Sequence, residues 1–325
     1  MKIAYVGNHR PPWATETHVA LTLESLGHTV LRLQEGPHNA IGAVTAEHVL
    51  DVVKIQACDM LMWTRCWNLT GNPRAMLDGC AALGVPTVAY HLDLYAPIPR
   101  ATAVPGDPWW RCKTVFSTDG DPSSEAFFAS HGINHIYIPA GVYHGGCYLA
   151  PPDEAARTEV AFVGSYNYHK EWPYRPKLID WLSKTYGSRF RLVPGPGKDA
   201  CREHALNVQY ASTKVTVGDS LIPNFTHTNY SSDRLFETLG RGGFLIYPRI
   251  KGITDGTLVE EGRHLACYDF GDFEGLQKTI DHYLAHDEER ERIRLAGHEH
   301  VKANHTYQDR LRRVLAHVDK AEGWT

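Results

Sequence analysis

Long apolar runs are missing from this sequence. Its apolar stretches are strand-sized, as in Val160-Ala161-Phe162-Val163, far short of the roughly 20 residues a membrane-spanning helix needs. The opening Met1-Lys2-Ile3-Ala4-Tyr5-Val6-Gly7 runs directly into a strand pattern, without the apolar helical segment or cleavage site of a signal peptide. A charge excess is missing too: 33 Lys+Arg stand against 37 Asp+Glu. Residues 1–150 carry 9 basic and 12 acidic side chains and the remainder 24 and 25, so neither half has the basic surplus that phosphate-backbone binding relies on. No two of the seven cysteines (Cys58, Cys66, Cys80, Cys112, Cys147, Cys201 and Cys267) are spaced as C-x-x-C. The odd count fits reduced thiols in a cytoplasm better than a disulfide frame or a zinc site. Without a secretion signal, the sequons at Asn68, Asn224, Asn229 and Asn304 carry little weight. His298-Glu299-His300 lacks the spacing that puts two ligands on one helix face.

What is present is a soluble, globular composition, 43% hydrophobic and 22% charged, over 325 residues. That length suggests about two domains. Lys2 to Val6 reads as a strand, Thr17 to Leu26 as a helix ended by Gly27, and Thr29 to Leu33 as a second strand. Such βαβ units imply a parallel sheet. Further strands are expected at 60–63, 86–90, 114–117 and 135–138, with helical stretches between. The non-periodic, proline-containing segment 150–158 reads as a linker. After it come strands at 160–163, 190–193, 215–217, 243–247 and 265–268, and helices near 176–186, 233–240, 273–285, 288–304 and 307–320. The expected division is 1–152, 153–305 and a final helix, 306–325, packing back toward the first domain. Two parallel sheets place ligands beyond the carboxyl ends of their strands.

The most informative segment is Ser231-Ser232-Asp233-Arg234-Leu235-Phe236-Glu237…Gly242-Gly243. Ser232 reads as an N-cap, which would aim backbone N–H groups at an anion. Arg234 in the first turn is repelled by the helix dipole, and a bound phosphate would explain it. Glu237, three residues on, shares its face and could accept two bonds from a ribose diol. An i,i+3 ion pair on a solvated helix accounts for the same pattern.

This segment resembles the donor-binding helix of GT-B glycosyltransferases, closest to the branch related to spore-maturation enzymes, which read S-x-R-x-F-E…G-G. The resemblance continues through Tyr247-Pro248-Arg249, Glu261-Gly262, Asp272-Phe273 and His305-Thr306-Tyr307-Gln308-Asp309-Arg310. It is strong over residues 158–318 and looser before. It implies an α/β fold of two Rossmann-like domains facing across a cleft that closes on the donor, and transfer of a hexosyl or pentosyl group from a nucleotide-sugar, with retention. The nucleotide-sugar is a co-substrate, and no other cofactor is implied. Acceptor transfer to modified DNA bases, a non-catalytic nucleotide-sugar-binding module and a sugar epimerase are the competing readings. Charge does not favour a nucleic-acid partner.

In retaining relatives the strand opening the second domain ends in G-R, with a lysine five residues after the arginine, and both cations hold the diphosphate. Gly164 and Lys170 match that spacing, Ser165 replaces the arginine, and Arg175 is the substitute the resemblance offers. Glu237 matches the second glutamate of the E-x7-E pattern, whereas the first position is Asn229. The segment Arg191 to Gly197 is expected to end a strand beside the base. In the first half, Gly7 and Asn8 follow a strand where a glycine lets a diphosphate or sugar approach. His91 and Asp93 follow another and are the catalytic candidates, as a base if the enzyme inverts and as positioning groups if it retains. The expected site holds no metal. Asp119-Gly120-Asp121 reads as an N-cap before Pro122. Trp109, Trp110, Tyr166, Tyr168 and Trp172 could stack on a sugar or base, although core aromatics are commoner.

Overall fold

A computed structural model describes residues 1–36, 42–64, 69–96, 98–167, 169–194 and 201–323. Cys66, Asn68, Tyr168 and Gly195 to Gly197 fall outside the described residues. The chain divides into two compact units, residues 1–139 with 307–325, and residues 140–306.

The first unit follows β1 (Lys2–Gly7), α1 (Thr15–Ser25), β2 (Thr29–Gln34), α2 (Ala46–Ile55), β3 (Met60–Trp63), α3 (Pro73–Ala82), β4 (Thr87–His91), β5 (Thr114–Ser117), α4 (Pro122–Ser130) and β6 (His135–Tyr137). All its strand pairs are parallel, in the order β2-β1-β3-β4-β5-β6. The inner strands β1, β3, β4 and β5 are buried almost throughout, as expected of a parallel sheet covered on both faces. Ile3, Tyr5, Met60, Leu61, Val88, Tyr90 and Val115 lie in that core. Gly27 closes α1 in the left-handed conformation, with His28 N–H donating to Leu23. Asp121 caps α4 by accepting from the Ser123 N–H at 2.9 Å, with Pro122 at the first position.

The second unit runs through β7 (Thr158–Val163), α5 (Tyr174–Tyr186), β8 (Phe190–Val193), α6 (Glu203–Ala211), β9 (Thr213–Val217), α7 (Arg234–Gly240), β10 (Leu245–Pro248), β11 (Ala266–Tyr268), α8 (Phe273–Ala285) and α9 (Asp287–Asn304). Its parallel sheet has the order β11-β10-β9-β7-β8. Residues 140–152 are tied into this unit. Asn207 donates to the carbonyls of Gly146 and Tyr148, both at 2.9 Å, and the Val142 N–H donates to His305. α10 (Tyr307–Glu322) then returns to the first unit and packs on α1, with Arg310 donating to the Pro139 carbonyl at 3.0 Å.

Helix α6 has no counterpart in the sequence reading. Its face is concealed because the fully buried Asn207 lies between Leu206 and Gln209 on the inward side, so a polar residue interrupts the apolar period. None of the six described cysteines is in a disulfide. No described helix is long and apolar enough to cross a membrane.

Candidate functional site

In each sheet the strand order reverses once, between β1 and β3 and between β7 and β9. Ligands of doubly wound sheets bind at the carboxyl end of such a switch point. In the second unit this point is occupied by the ends of β7 and β9, which present Gly164 and Asp219. Gly164 has φ of +152°, open to glycine and strained for other residues, and its N–H donates to the Val193 carbonyl at 2.8 Å. Asp219 is 2% exposed. It accepts from Trp172 Nε1 at 2.9 Å and from Arg175 Nε and Nη2, each at 3.0 Å. The guanidinium of Arg175 also lies 5.7 Å from the Phe162 ring centre. Its charge is therefore committed to Asp219 rather than left over for a ligand, unlike the expected substitute cation. Lys170, on the same loop, is exposed.

Ser232 is not the N-cap. Asp233 precedes α7 in helical conformation and no side chain caps the helix. The Ser232 hydroxyl instead turns toward the Asp219 carbonyl at 3.3 Å and the Tyr247 hydroxyl at 3.2 Å, while its N–H donates to Ser220 Oγ at 3.1 Å. Ser232 thus bridges the ends of β9 and β10. Burial pushes the Tyr247 phenol up to about 12, which keeps it protonated as a donor.

Arg234 and Glu237 meet as the spacing predicts, through Arg234 Nη1 and Glu237 Oε2. The other carboxylate oxygen lies 3.5 Å from Nε of Arg241. Glu237 is thus flanked by two arginines, one a turn before it and one a turn after. Arg241 is 4% exposed and is fixed by Asn207 Oδ1 at 2.6 Å, so it is the buried anchor. Arg234 retains 23% of its side-chain exposure. Burial works against its charge, but Glu237 and Tyr210 more than offset that and hold the guanidinium above its ordinary value.

In the first unit, Gly7 admits a side chain of its own fold. A Cβ there would fall 2.7 Å from Cγ of Glu16 on α1, so the space above the strand end is filled by Glu16 and not left for a diphosphate. Gln34 clamps the following loop: Oε1 accepts from the His9 N–H at 2.8 Å, and Nε2 donates to Asn8 Oδ1 at 3.1 Å. Burial lowers His9 to about 4. His91 ends β4 at 1% exposure. Its ring stacks on Trp109 at 4.5 Å and meets Tyr95 edge-on at 4.6 Å, while Nδ1 accepts from the Asp93 N–H at 3.2 Å. This is a core histidine in an aromatic box, and Trp109 and Trp110 are core residues with it. Asp93 has Arg100 3.8 Å away.

No curated protein sequence matches the chain. Residues 155–316 match the family described as glycosyl transferase-like. Among solved structures, a glycosyltransferase from Rickettsia africae superposes with a TM-score of 0.62 at 12% identity, covering 98% of each chain. HepE from Anabaena, in complex with UDP-glucose, gives 0.63 at 12% identity over 98% of this chain and 100% of its own. An α-glucosyltransferase in complex with UDP-glucose and DNA containing an abasic site gives 0.65 at 12% identity over 97% and 98%. The chain is a glycosyltransferase of the GT-B fold.

Within this glycosyltransferase the structure adds residues that sequence spacing missed. Asp219 is bonded to two of the groups at the switch point, Trp172 and Arg175, yet it lies 44 residues from Arg175 in sequence. Arg241 sets a second positive charge 3.5 Å from Glu237. An acidic residue directly after a strand glycine, as in Gly218-Asp219, was the available signal for the first. An i,i+4 acid–base pair was the signal for the second. Asn229, in the place of the first glutamate of E-x7-E, has φ of +51°, and its N–H donates to the Lys251 carbonyl at 3.0 Å.

Proposed function

We propose that this glycosyltransferase moves a hexosyl group from a uridine diphosphate sugar to a hydroxyl of its acceptor, with retention at the anomeric carbon. The observation that carries the donor reading is the Arg241–Glu237–Arg234 cluster. A buried arginine lies within ion-pair distance of the carboxylate, and the carboxylate holds a second, partly exposed arginine at the head of α7. A preformed cation beside an acceptor-rich carboxylate suits a diphosphate and its ribose. The complexes of HepE and of the α-glucosyltransferase with UDP-glucose support the choice of donor.

Transfer breaks the bond between the anomeric carbon and the diphosphate oxygen, and the departing diphosphate takes the electron pair. Charge grows on that oxygen, so Arg234 and Lys170 stabilise the transition state more than the ground state. The acceptor oxygen forms the new bond, and its proton passes to the departing phosphate oxygen on the same face. That route needs no protein base, which agrees with His91 being packed in the core. Metal-independent transfer is part of the same reading, supported by Asp121 serving as a helix cap.

A thermal-shift screen of nucleoside diphosphates tests the donor. UDP is expected to raise the melting temperature through mass action, with ADP and GDP weaker. A stronger shift from GDP or ADP would replace the base assignment.

A further inference from the structure

Three loops leaving the carboxyl edge of the second sheet each bring a ring to one aromatic cluster: Trp172 between β7 and α5, Phe225 between β9 and α7, and Phe270 between β11 and α8. Trp172 lies 5.5 Å from Phe225 and 5.8 Å from Phe270, and Phe225 lies 5.1 Å from Phe270. Tyr174 supports them from below, 5.6 Å from Phe225 and 5.3 Å from Phe270. Trp172 and Tyr174 are buried, yet Phe225 on top of them is 52% exposed. Its backbone is strained as well: Asn224 and Phe225 have φ of +54° and +59°. Two consecutive left-handed residues other than glycine, one of them bulky, are an outlier. The strain leaves half of an apolar ring in water, and outliers of this kind collect at ligand sites.

The loop's composition identifies the ligand class. From Ser220 to Ser232 there is no Lys, Arg, Asp or Glu; Asn224, Thr226, Thr228 and Asn229 supply amides and hydroxyls instead. Two of the arginines nearby are matched with carboxylates: Arg175 with Asp219 and Arg249 with Asp269. An aromatic face rimmed by neutral hydrogen-bonding groups suits a ring with one C–H face and several hydroxyls. It does not suit a polyanion.

We propose that Phe225 is a stacking residue for a neutral sugar ring, supplied either by the hexosyl group of the donor or by a sugar acceptor. This rests on the donor reading above. The test uses Phe225→Ala, Phe225→Leu and Phe225→Tyr, checked for equal helicity by circular dichroism. Each is titrated calorimetrically with UDP and with UDP-glucose. Each is also examined by saturation-transfer NMR with methyl glucoside and cellobiose in the presence of UDP. UDP affinity is expected to stay at the wild-type value in all three. The Ala and Leu variants should lose about fivefold or more in one sugar response, and Tyr should restore it. Loss of the UDP-glucose response identifies the donor hexose as the stacked ring, and loss of the glycoside signal identifies an acceptor. Because Leu keeps the apolar plug, its loss isolates the aromatic ring. Sugar responses unchanged in Ala and Leu would overturn the proposal. A wild type that binds UDP but no sugar would overturn it too, as would a Phe225-dependent response to oligothymidylate alone. UDP that fails to bind the wild type overturns the donor reading itself, and this proposal with it.

Discussion

Arg175 and Asp219 form a two-point ion pair at the switch point of the second sheet, with Nε and Nη2 each 3.0 Å from Asp219 Oδ1. The pair joins α5 to the end of β9, and Trp172 Nε1 donates to the same carboxylate. The carboxylate is 2% exposed and the guanidinium side chain 13%. Removing one partner of such a pair leaves the other charge buried and uncompensated. Asp219→Ala is expected to lower stability by about 3 kcal/mol, and Arg175→Met by less, since the apolar stem still packs on Phe162. Urea denaturation of the two variants checks this. A loss below about 0.5 kcal/mol in Asp219→Ala would place the pair among weak surface ion pairs.

His91 makes an opposite prediction for stability and for turnover. Packed against Trp109 and Tyr95, it should behave as a core ring. His91→Ala is expected to cost about 3 kcal/mol of stability through the cavity it leaves. UDP release from UDP-glucose, measured well below the variant's melting temperature, should fall less than about tenfold. A fall of about a hundredfold or more in a variant of normal stability would instead make His91 a general base.

Acid should destabilise the first and second units alike. Burial lowers His9, His135 and His264 each to about 4. Their unfolded value is near 6.5, so between those limits the unfolded chain binds protons that the folded chain refuses. Stability is complete above the unfolded value and declines as pH falls toward the folded one. Each histidine contributes a slope of up to about 1.4 kcal/mol per pH unit. The urea midpoint should drop between pH of about 7 and about 5, and a flat midpoint across that range would contradict the assignment.

Strands and long amphipathic helices were legible in the sequence because their apolar periods are undisturbed. β3, β5, β8 and α8 occupy the expected spans. Local i,i+3 spacing was enough to pair Arg234 with Glu237. What escaped detection depends on polar groups whose partners are distant in the chain. Asn207 conceals α6 because it is a buried bracket for residues 146 and 148. Ser232 has the composition of an N-cap, but the ends of β9 and β10 offer its hydroxyl tertiary partners. Arg175 has the position of a phosphate cation, but Asp219 takes its charge. Gly7 has the signature of a ligand-facing glycine, and the residue that fills its space, Glu16, is set by how α1 crosses β1. In each case local chemistry allowed two outcomes and a long-range contact decided between them.

The metal question has a direct assay. Asp119 is buried and Asp121 caps α4, so the D-x-D serves the fold. UDP release is expected to survive exhaustive EDTA treatment and to gain less than about twofold when Mg²⁺ or Mn²⁺ is restored. Activity that vanishes with the metal, returns with it and is lost in Asp121→Ala would reassign those carboxylates.

The central claim is that the Arg241–Glu237–Arg234 cluster holds the donor. Glu237→Ala removes the ribose acceptor and also releases Arg234, so Arg234→Ala is the cleaner variant. Calorimetric titration of UDP-glucose into the wild type and into Arg234→Ala measures the claim most directly. The account predicts binding by the wild type that weakens by about 1.5–3 kcal/mol, more than tenfold, in the folded variant. Equal affinity in the two proteins, or no binding by either, would contradict it.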